Sequence, residues 1–74
     1  MQTKSELTPA QAKTLAFIRS YIAKNGYSPT FAEIAIAEKV NVNAIGERIA
    51  QMVKKGAVTK ADGIARSIRP VTQA

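Results

Sequence analysis

The chain contains no cysteine and no histidine. Disulfide frameworks, zinc-finger sites and thiol or imidazole catalysis are therefore excluded. Absence of cysteine is also compatible with a reducing compartment. No apolar run nears the roughly 20 residues that a membrane-spanning helix needs. The opening Met1-Gln2-Thr3-Lys4-Ser5-Glu6 lacks the hydrophobic stretch of a secretion signal, so a cytoplasmic location is expected. Aromatics are few, two Tyr and two Phe, and no helical pattern joins a wide aromatic face to a basic one. Binding to an acidic membrane surface is thereby disfavoured. Acids are scarce and scattered, with no phosphate-cradling glycine loop and no metal-ligand cluster. No enzyme activity, metal or cofactor is expected.

With 74 residues the chain is expected to form one small domain over residues 1–74, its ordered core spanning about 7–69. It buries on the order of a dozen apolar side chains. Eleven Lys and Arg against five Asp and Glu give a net charge of +6, unevenly placed. Residues 1–38 carry Lys4, Lys13, Arg19 and Lys24 against Glu6, Glu33 and Glu38, a balance of +1. Residues 39–74 carry Lys39, Arg48, Lys54, Lys55, Lys60, Arg66 and Arg69 against Glu47 and Asp62, a balance of +5. One-sided positive charge is the electrostatic footprint of a polyanion binder.

The basic half holds the most informative segment, Asn43 to Gly56. At about 100° per residue, Ile45, Ile49, Met52 and Val53 gather on one side of a helix. Asn43, Glu47, Gln51 and Lys54 gather opposite, with Ala44 at their edge. Asn and Gln pair bidentately with adenine, Glu accepts from cytosine, and Ala meets a thymine methyl. One face fit for burial and another fit for reading bases describe a recognition helix.

The flanking pattern supplies its setting. Thr8 as N-cap, Pro9 at the first helical position and Gly26 as terminator bound a first helix. Leu15, Phe17, Ile18, Tyr21 and Ile22 are its core candidates. Ser28-Pro29-Thr30 leads stiffly into a second helix from Phe31, because Thr30 with Glu33 forms a capping-box pattern. That helix turns Ile34 and Ala35 inward and ends near Glu38 or Lys39. Asn41 or Asn43 caps the third, and the residue that does not cap is free to reach DNA. Beyond Gly56, Ala57-Val58-Thr59-Lys60-Ala61 and Ile64-Ala65-Arg66-Ser67-Ile68-Arg69 flank Asp62-Gly63, a strong two-residue hairpin signal. Such a loop sets Lys60 opposite Ala65 and Thr59 opposite Arg66. Pro70 ends the second strand, and 71–74 form a frayed tail. The expected fold is α+β, mainly α: three helices followed by a two-stranded β-hairpin wing, a winged helix-turn-helix.

Within that layout Asn41, Asn43, Ala44, Glu47 and Gln51 are candidate base readers. Arg48, on the flank of the third helix, suits a phosphate better than a base. Lys60, Arg66 and Arg69 are candidate phosphate contacts from the wing. Ser28 and Thr30 offer a hydroxyl or backbone N–H at the start of helix two, although capping alone explains Thr30. Helix-dipole stabilisation suffices for Lys54 and Lys55. Gly46 inside the third helix either permits a close approach or is a tolerated defect.

Taken in order, these residues resemble the N-terminal DNA-binding domain of the LexA repressors. The resemblance runs from about Leu7 to Arg69: Leu7-Thr8, Ile18-Arg19 and Ile22, Pro29-Thr30, Ala32-Glu33-Ile34-Ala35, Asn43-Ala44 with Glu47, Lys55-Gly56, Arg66, and Ile68-Arg69. It implies a third helix in the major groove, read through Asn43, Ala44 and Glu47, and a basic wing carrying Arg66 and Arg69. Three departures qualify it. Glu38-Lys39-Val40-Asn41-Val42 is about one residue shorter than the family's turn and lacks its Leu-Gly, and Asn41 stands where a base-contacting Ser is usual. Phe31 replaces a residue that is often basic. The chain stops after the wing, without the C-terminal half that dimerises and self-cleaves.

The expected function is that of a sequence-specific regulator of transcription binding double-stranded DNA, most simply a repressor associated with the nucleoid. A weak homodimer on DNA, or a protein partner, would supply the second half-site. Two other readings stay open: a winged helix for protein–protein contact, and a non-specific nucleoid-type binder.

Overall fold

The computed structural model describes residues 7–71. Its elements follow the expected order: α1 (Pro9–Asn25), α2 (Phe31–Glu38), α3 (Val42–Lys54), β1 (Val58–Thr59) and β2 (Arg69–Pro70). Thr8 Oγ1 accepts the Gln11 N–H at 3.1 Å, and Gln11 Oε1 accepts the Thr8 N–H at 3.1 Å. Two N-terminal donors of α1 are thus satisfied reciprocally, while Pro9 has none to satisfy. Thr30 and Glu33 repeat the device at α2, at 3.1 and 2.9 Å. Asn41 caps α3, its Oδ1 accepting the Asn43 N–H at 2.7 Å.

A left-handed residue lies at each helix end, directly after α1 and α2 and one residue beyond the Lys55 cap (φ −79°) of α3. Gly26 (φ 83°) follows α1 and Gly56 (φ 80°) follows α3, the conformation that a residue lacking Cβ adopts without strain. The turn after α2 uses Lys39 instead, at φ 59°, an arrangement that costs a side-chain-bearing residue about 1–2 kcal/mol. Its return is two hydrogen bonds, Lys39 N–H to Ile36 O at 3.3 Å and Val40 N–H to Ala35 O at 3.0 Å. They satisfy carbonyls the helix end would otherwise leave open. The turn between α2 and α3 is thereby closed without glycine.

The core lies where α1, α2, α3 and the hairpin meet: Ile18, Ile34, Ala35, Ile45, Ile49, Met52, Val58 and Ile68 are buried. Full burial of each large aliphatic side chain contributes about 1.5–3 kcal/mol. Leu7, Leu15, Phe17, Ile22 and Phe31 pack around it half-buried. Of the five candidates on α1, Ile18 alone is fully buried; Tyr21 is half-buried. Val53, expected in the core, is 39% exposed, and Met52 closes the last turn of α3.

The inward side of α1 also carries polar groups, Gln11 and Thr14. Thr14 Oγ1 donates to the Glu38 carboxylate, 2.9 Å from Oε2. Arg48 Nη1 lies 2.6 Å from Glu38 Oε1 and 3.1 Å from Thr14 Oγ1. One residue from each helix therefore meets at this junction. Burial of an acid is tolerated only with such partners, and the Glu38 side chain is 7% exposed.

The hairpin departs from expectation. Val58 pairs with Pro70 and Thr59 with Arg69, a register three residues away from the one a two-residue Asp62-Gly63 loop imposes. Val71 N–H extends the pairing to Ala57 O at 2.9 Å, so Val71 is tied down; 72–74 lie outside the described residues. Asp62 does not share the positive φ of Gly63, so the type I′ turn does not form. Instead Ile64 N–H reaches Ala61 O at 3.3 Å. Ser67 Oγ accepts the Ala61 N–H and lies within reach of the Ala61 and Ile64 carbonyls. Residues 60–68 become a folded loop, anchored by buried Val58 and Ile68 at its base.

At Gly46 a methyl group would sit 3.7 Å from Phe31 Cε2 and 3.8 Å from Cδ2, ordinary van der Waals distances. No neighbour within the fold requires the glycine. Gly46→Ala is expected to stabilise the fold by about 0.5–1 kcal/mol in urea unfolding, through helix propensity. Arg48→Ala strands the Glu38 carboxylate and is expected to cost about 2–3 kcal/mol in the same measurement.

Candidate nucleic-acid interface

α3 divides as its periodicity predicts. Ile45, Ile49 and Met52 face the core, while Asn43, Ala44, Glu47, Ala50, Gln51 and Lys54 are exposed. Because Asn41 caps the helix, Asn43 is the asparagine left open. The Asn43, Glu47 and Gln51 side chains make no hydrogen bond among the described residues, so their polar groups face outward unsatisfied by the fold. Ala44, Glu47, Arg48 and Gln51 share a shallow cleft with Thr8 and Gln11 of the α1 start. Ala50 and Lys54 extend the same surface past Glu47 and Gln51. Ala50, Thr8 and Gln11 are not among the contact candidates that the sequence offers. Helical spacing from Glu47 marks Ala50, whereas Thr8 is marked only as a cap and nothing local places it or Gln11 beside α3.

Arg48 lies on the flank of α3 but points into the junction with Glu38 and Thr14, its side chain 19% exposed. Lys55 is likewise turned inward, its Nζ donating to Gln11 Oε1 at 2.7 Å.

The remaining candidates lie around the start of α2 and the wing. Thr30, Lys60 and Arg66 line one cavity with Phe31 and Ile64 between them, of about 340 Å³. Thr30 is occupied as a cap. Ser28 is 4% exposed and its hydroxyl has no hydrogen-bond partner among the described residues, so it is not presented to solvent. Lys60 pairs with the fully exposed Asp62 at 3.1 Å and sits 5.9 Å from the centre of the Phe31 ring. Arg69 is exposed on β2 opposite Thr59.

Arg66 is held in the fold. Its Nη1 lies 3.0 Å from Glu33 Oε1 and its Nη2 2.8 Å from Glu33 Oε2, a two-point grip. Nη1 also approaches the Ser28 carbonyl at 3.1 Å and the Tyr21 hydroxyl at 3.4 Å. Tyr27 stacks beneath, 4.7 Å from ring centre to guanidinium carbon. Hydrogen bonding from Arg66 first, then from the Thr30 N–H, lowers the Glu33 carboxyl from 4.5 to about 2. Glu33, and then Tyr21, raise Arg66 in return.

Three helices, a tight turn between the second and third, and a hairpin after them define a winged helix-turn-helix domain, with an open polar face on its third helix. Comparison with known proteins narrows this class. Residues 4–67 match the family model described as LexA DNA binding domain, and the chain belongs to that family. It is 44% identical over 66 residues to the LexA repressors of Pseudomonas chlororaphis and Ectopseudomonas mendocina, covering 86% of this chain. With the LexA repressor of Thermosipho melanesiensis the identity is 38% over 63 residues, covering 85%. The chain spans about a third of the length of these relatives, 32% in each case.

The Glu33 grip makes stability depend on acid. A carboxyl whose folded value lies below 4.5 contributes its full stabilisation above that pH and loses it as pH falls toward about 2. Melting temperatures measured across that window are expected to fall, and Glu33→Gln is expected to flatten the fall.

Proposed function

We propose that this domain binds double-stranded DNA sequence-specifically and serves transcriptional repression. In this reading α3 enters the major groove, Asn43, Ala44, Glu47 and Gln51 meet base edges, and the wing lies along the backbone or minor groove. The observation that carries it is the open face of α3: donors and acceptors suited to bases, unsatisfied by the fold, on a helix whose other side is fully buried. Membership of a family named for DNA binding and the +5 balance of residues 39–74 support the same reading. Among the described residues no helix is long and apolar enough to cross a membrane.

Several aromatics exposed together would favour the protein-partner alternative. Of Phe17, Tyr21, Tyr27 and Phe31, only Tyr27 is exposed, at 50%. It is stacked between Tyr21, 6.0 Å away between centroids, and Arg66. These rings support the wing, and no open aromatic patch favours that alternative.

A small module buries limited area on DNA, so a pair of copies on two half-sites accounts best for useful specificity. The direct test is retention of sheared genomic fragments by the purified protein at physiological salt, followed by sequencing. A recurrent motif is expected, palindromic if two copies bind; uniform retention would leave only non-specific coating. Asn43→Ala and Glu47→Ala are each expected to reduce binding to that motif about 10- to 100-fold relative to bulk DNA. Affinity should fall with salt at a log–log slope of about −0.9 per neutralised phosphate.

A further inference from the structure

Arg66 is the wing cation that the resemblance to LexA domains marks for DNA, yet its guanidinium is the most heavily engaged in the fold. Both terminal nitrogens face acceptors: two oxygens of Glu33, the Ser28 carbonyl and the Tyr21 hydroxyl. One face is covered by Tyr27. The backbone around it is committed as well, since Arg66 holds φ 57°, a conformation unfavourable for any residue with a side chain. A side chain meant to sweep across a phosphate needs neither a stacked ring nor a fixed backbone. Both are what an anchor needs.

The anchor's other end is equally placed. Glu33 Oε1 accepts the Thr30 N–H while also receiving Arg66. The grip thus joins the loop of residues 60–68 to the first turn of α2, and through Ser28 and Tyr21 to the end of α1. The two strands are only two residues each, too short to fix the direction of a nine-residue loop by themselves.

On these grounds, and resting on the DNA-binding reading above, we infer that Arg66 is a positioning residue: acting through Glu33, it sets where the wing lies, and it is not a phosphate ligand. Phosphate contact from the wing falls to Arg69, which is exposed, and to Lys60, whose partner Asp62 is itself fully exposed and easily exchanged for a phosphate.

The two roles predict opposite signs. If Arg66 contacts phosphate, neutralising Glu33 releases a cation and removes an anion, so binding tightens. If Arg66 positions the wing, the same change loosens the wing and weakens binding. Glu33→Gln keeps an oxygen for the Thr30 N–H, so α2 retains its cap.

The experiment measures affinity of the full chain for the most enriched duplex from a randomised library, across a salt series. The variants are E33Q, R66A, R66K and the double variant E33Q/R66A. Circular dichroism at the assay temperature establishes that each is folded, and E33Q and R66K leave the smallest perturbation should R66A unfold. We expect E33Q, R66A and R66K each to weaken specific binding about tenfold. Lysine fails to rescue because it has no planar fork. The double variant should be no worse than either single change, as residues acting as one unit require, and the salt slope should match the unmodified chain. Tighter binding by E33Q, retained binding by R66K, or a slope shallower by about 0.9 in R66A would overturn the inference. So would wild-type affinity in all variants. Failure of the unmodified chain to enrich any duplex would overturn the DNA-binding reading first, and this inference with it, before any variant is made.

Discussion

Glu38 ends α2 with its carboxylate nearly buried, and the angle between α2 and α3 depends on what surrounds it. Thr14 donates from α1 and Arg48 from α3, at distances below 3.2 Å. In a medium less polar than water these bonds strengthen one another, and the loss of any leaves the acid exposed to a full desolvation penalty. An apolar junction of similar volume would tolerate several helix angles; this junction satisfies its donors and acceptors at one. The turn between α2 and α3 follows from that constraint. Lys39 accepts a left-handed backbone where its own N–H and that of Val40 close the end of α2 on Ile36 and Ala35. The exposed face of α3 is in turn aimed by a polar contact on its flank.

A second ion pair repeats this logic at the other end of the domain. Glu33 and Arg66 are farther out, their side chains 35% and 37% exposed, so solvent screens them more and direction matters more than energy. What they provide is geometry: a planar two-point contact, stacked on a ring, between the start of α2 and the loop of residues 60–68. Internal pairing has a further effect on the surface. Two of the five acids lie in these pairs, and among the described residues Glu47 and Asp62 are the acids outside the grips on Arg48 and Arg66.

Much of this was legible in the sequence because it is encoded locally. Thr30 with Glu33, Thr8 before Pro9, and Gly26 after α1 each act within four residues, and each of these caps forms as the sequence implies. Ile45, Ile49 and Met52 followed from helical period alone. What sequence does not show shares a cause. The internal pairing of Arg48 and Arg66 is not visible there, because a sequence shows charge and flank but not the acid waiting ten or thirty-three residues away. The hairpin register was misread because Asp-Gly is a local rule, whereas Arg66 drawn to Glu33, Ser67 folded onto Ala61, and Val58 and Ile68 held in the core determine the loop from outside it. Val53 was placed inward because a wheel assigns angles, and the core reaches only as far round α3 as α1 and the hairpin extend.

The single acid on the open face of α3 bears on how such a domain would search a duplex. Attraction in the proposed complex is distributed over Arg69, Lys60 and Lys54 and is indifferent to sequence, so it holds the protein near DNA and lets it travel. Repulsion in that complex would be concentrated at Glu47, midway along the helix proposed to enter the groove. Where guanine or thymine faces it, the carboxylate would meet base acceptors as well as phosphate charge, and the helix would ride high. Where a cytosine amino group lies beneath, the same carboxylate would become an acceptor and the helix would seat. The domain would therefore have a loose travelling mode and a tight stopping mode, separated by one side chain changing the sign of its contribution.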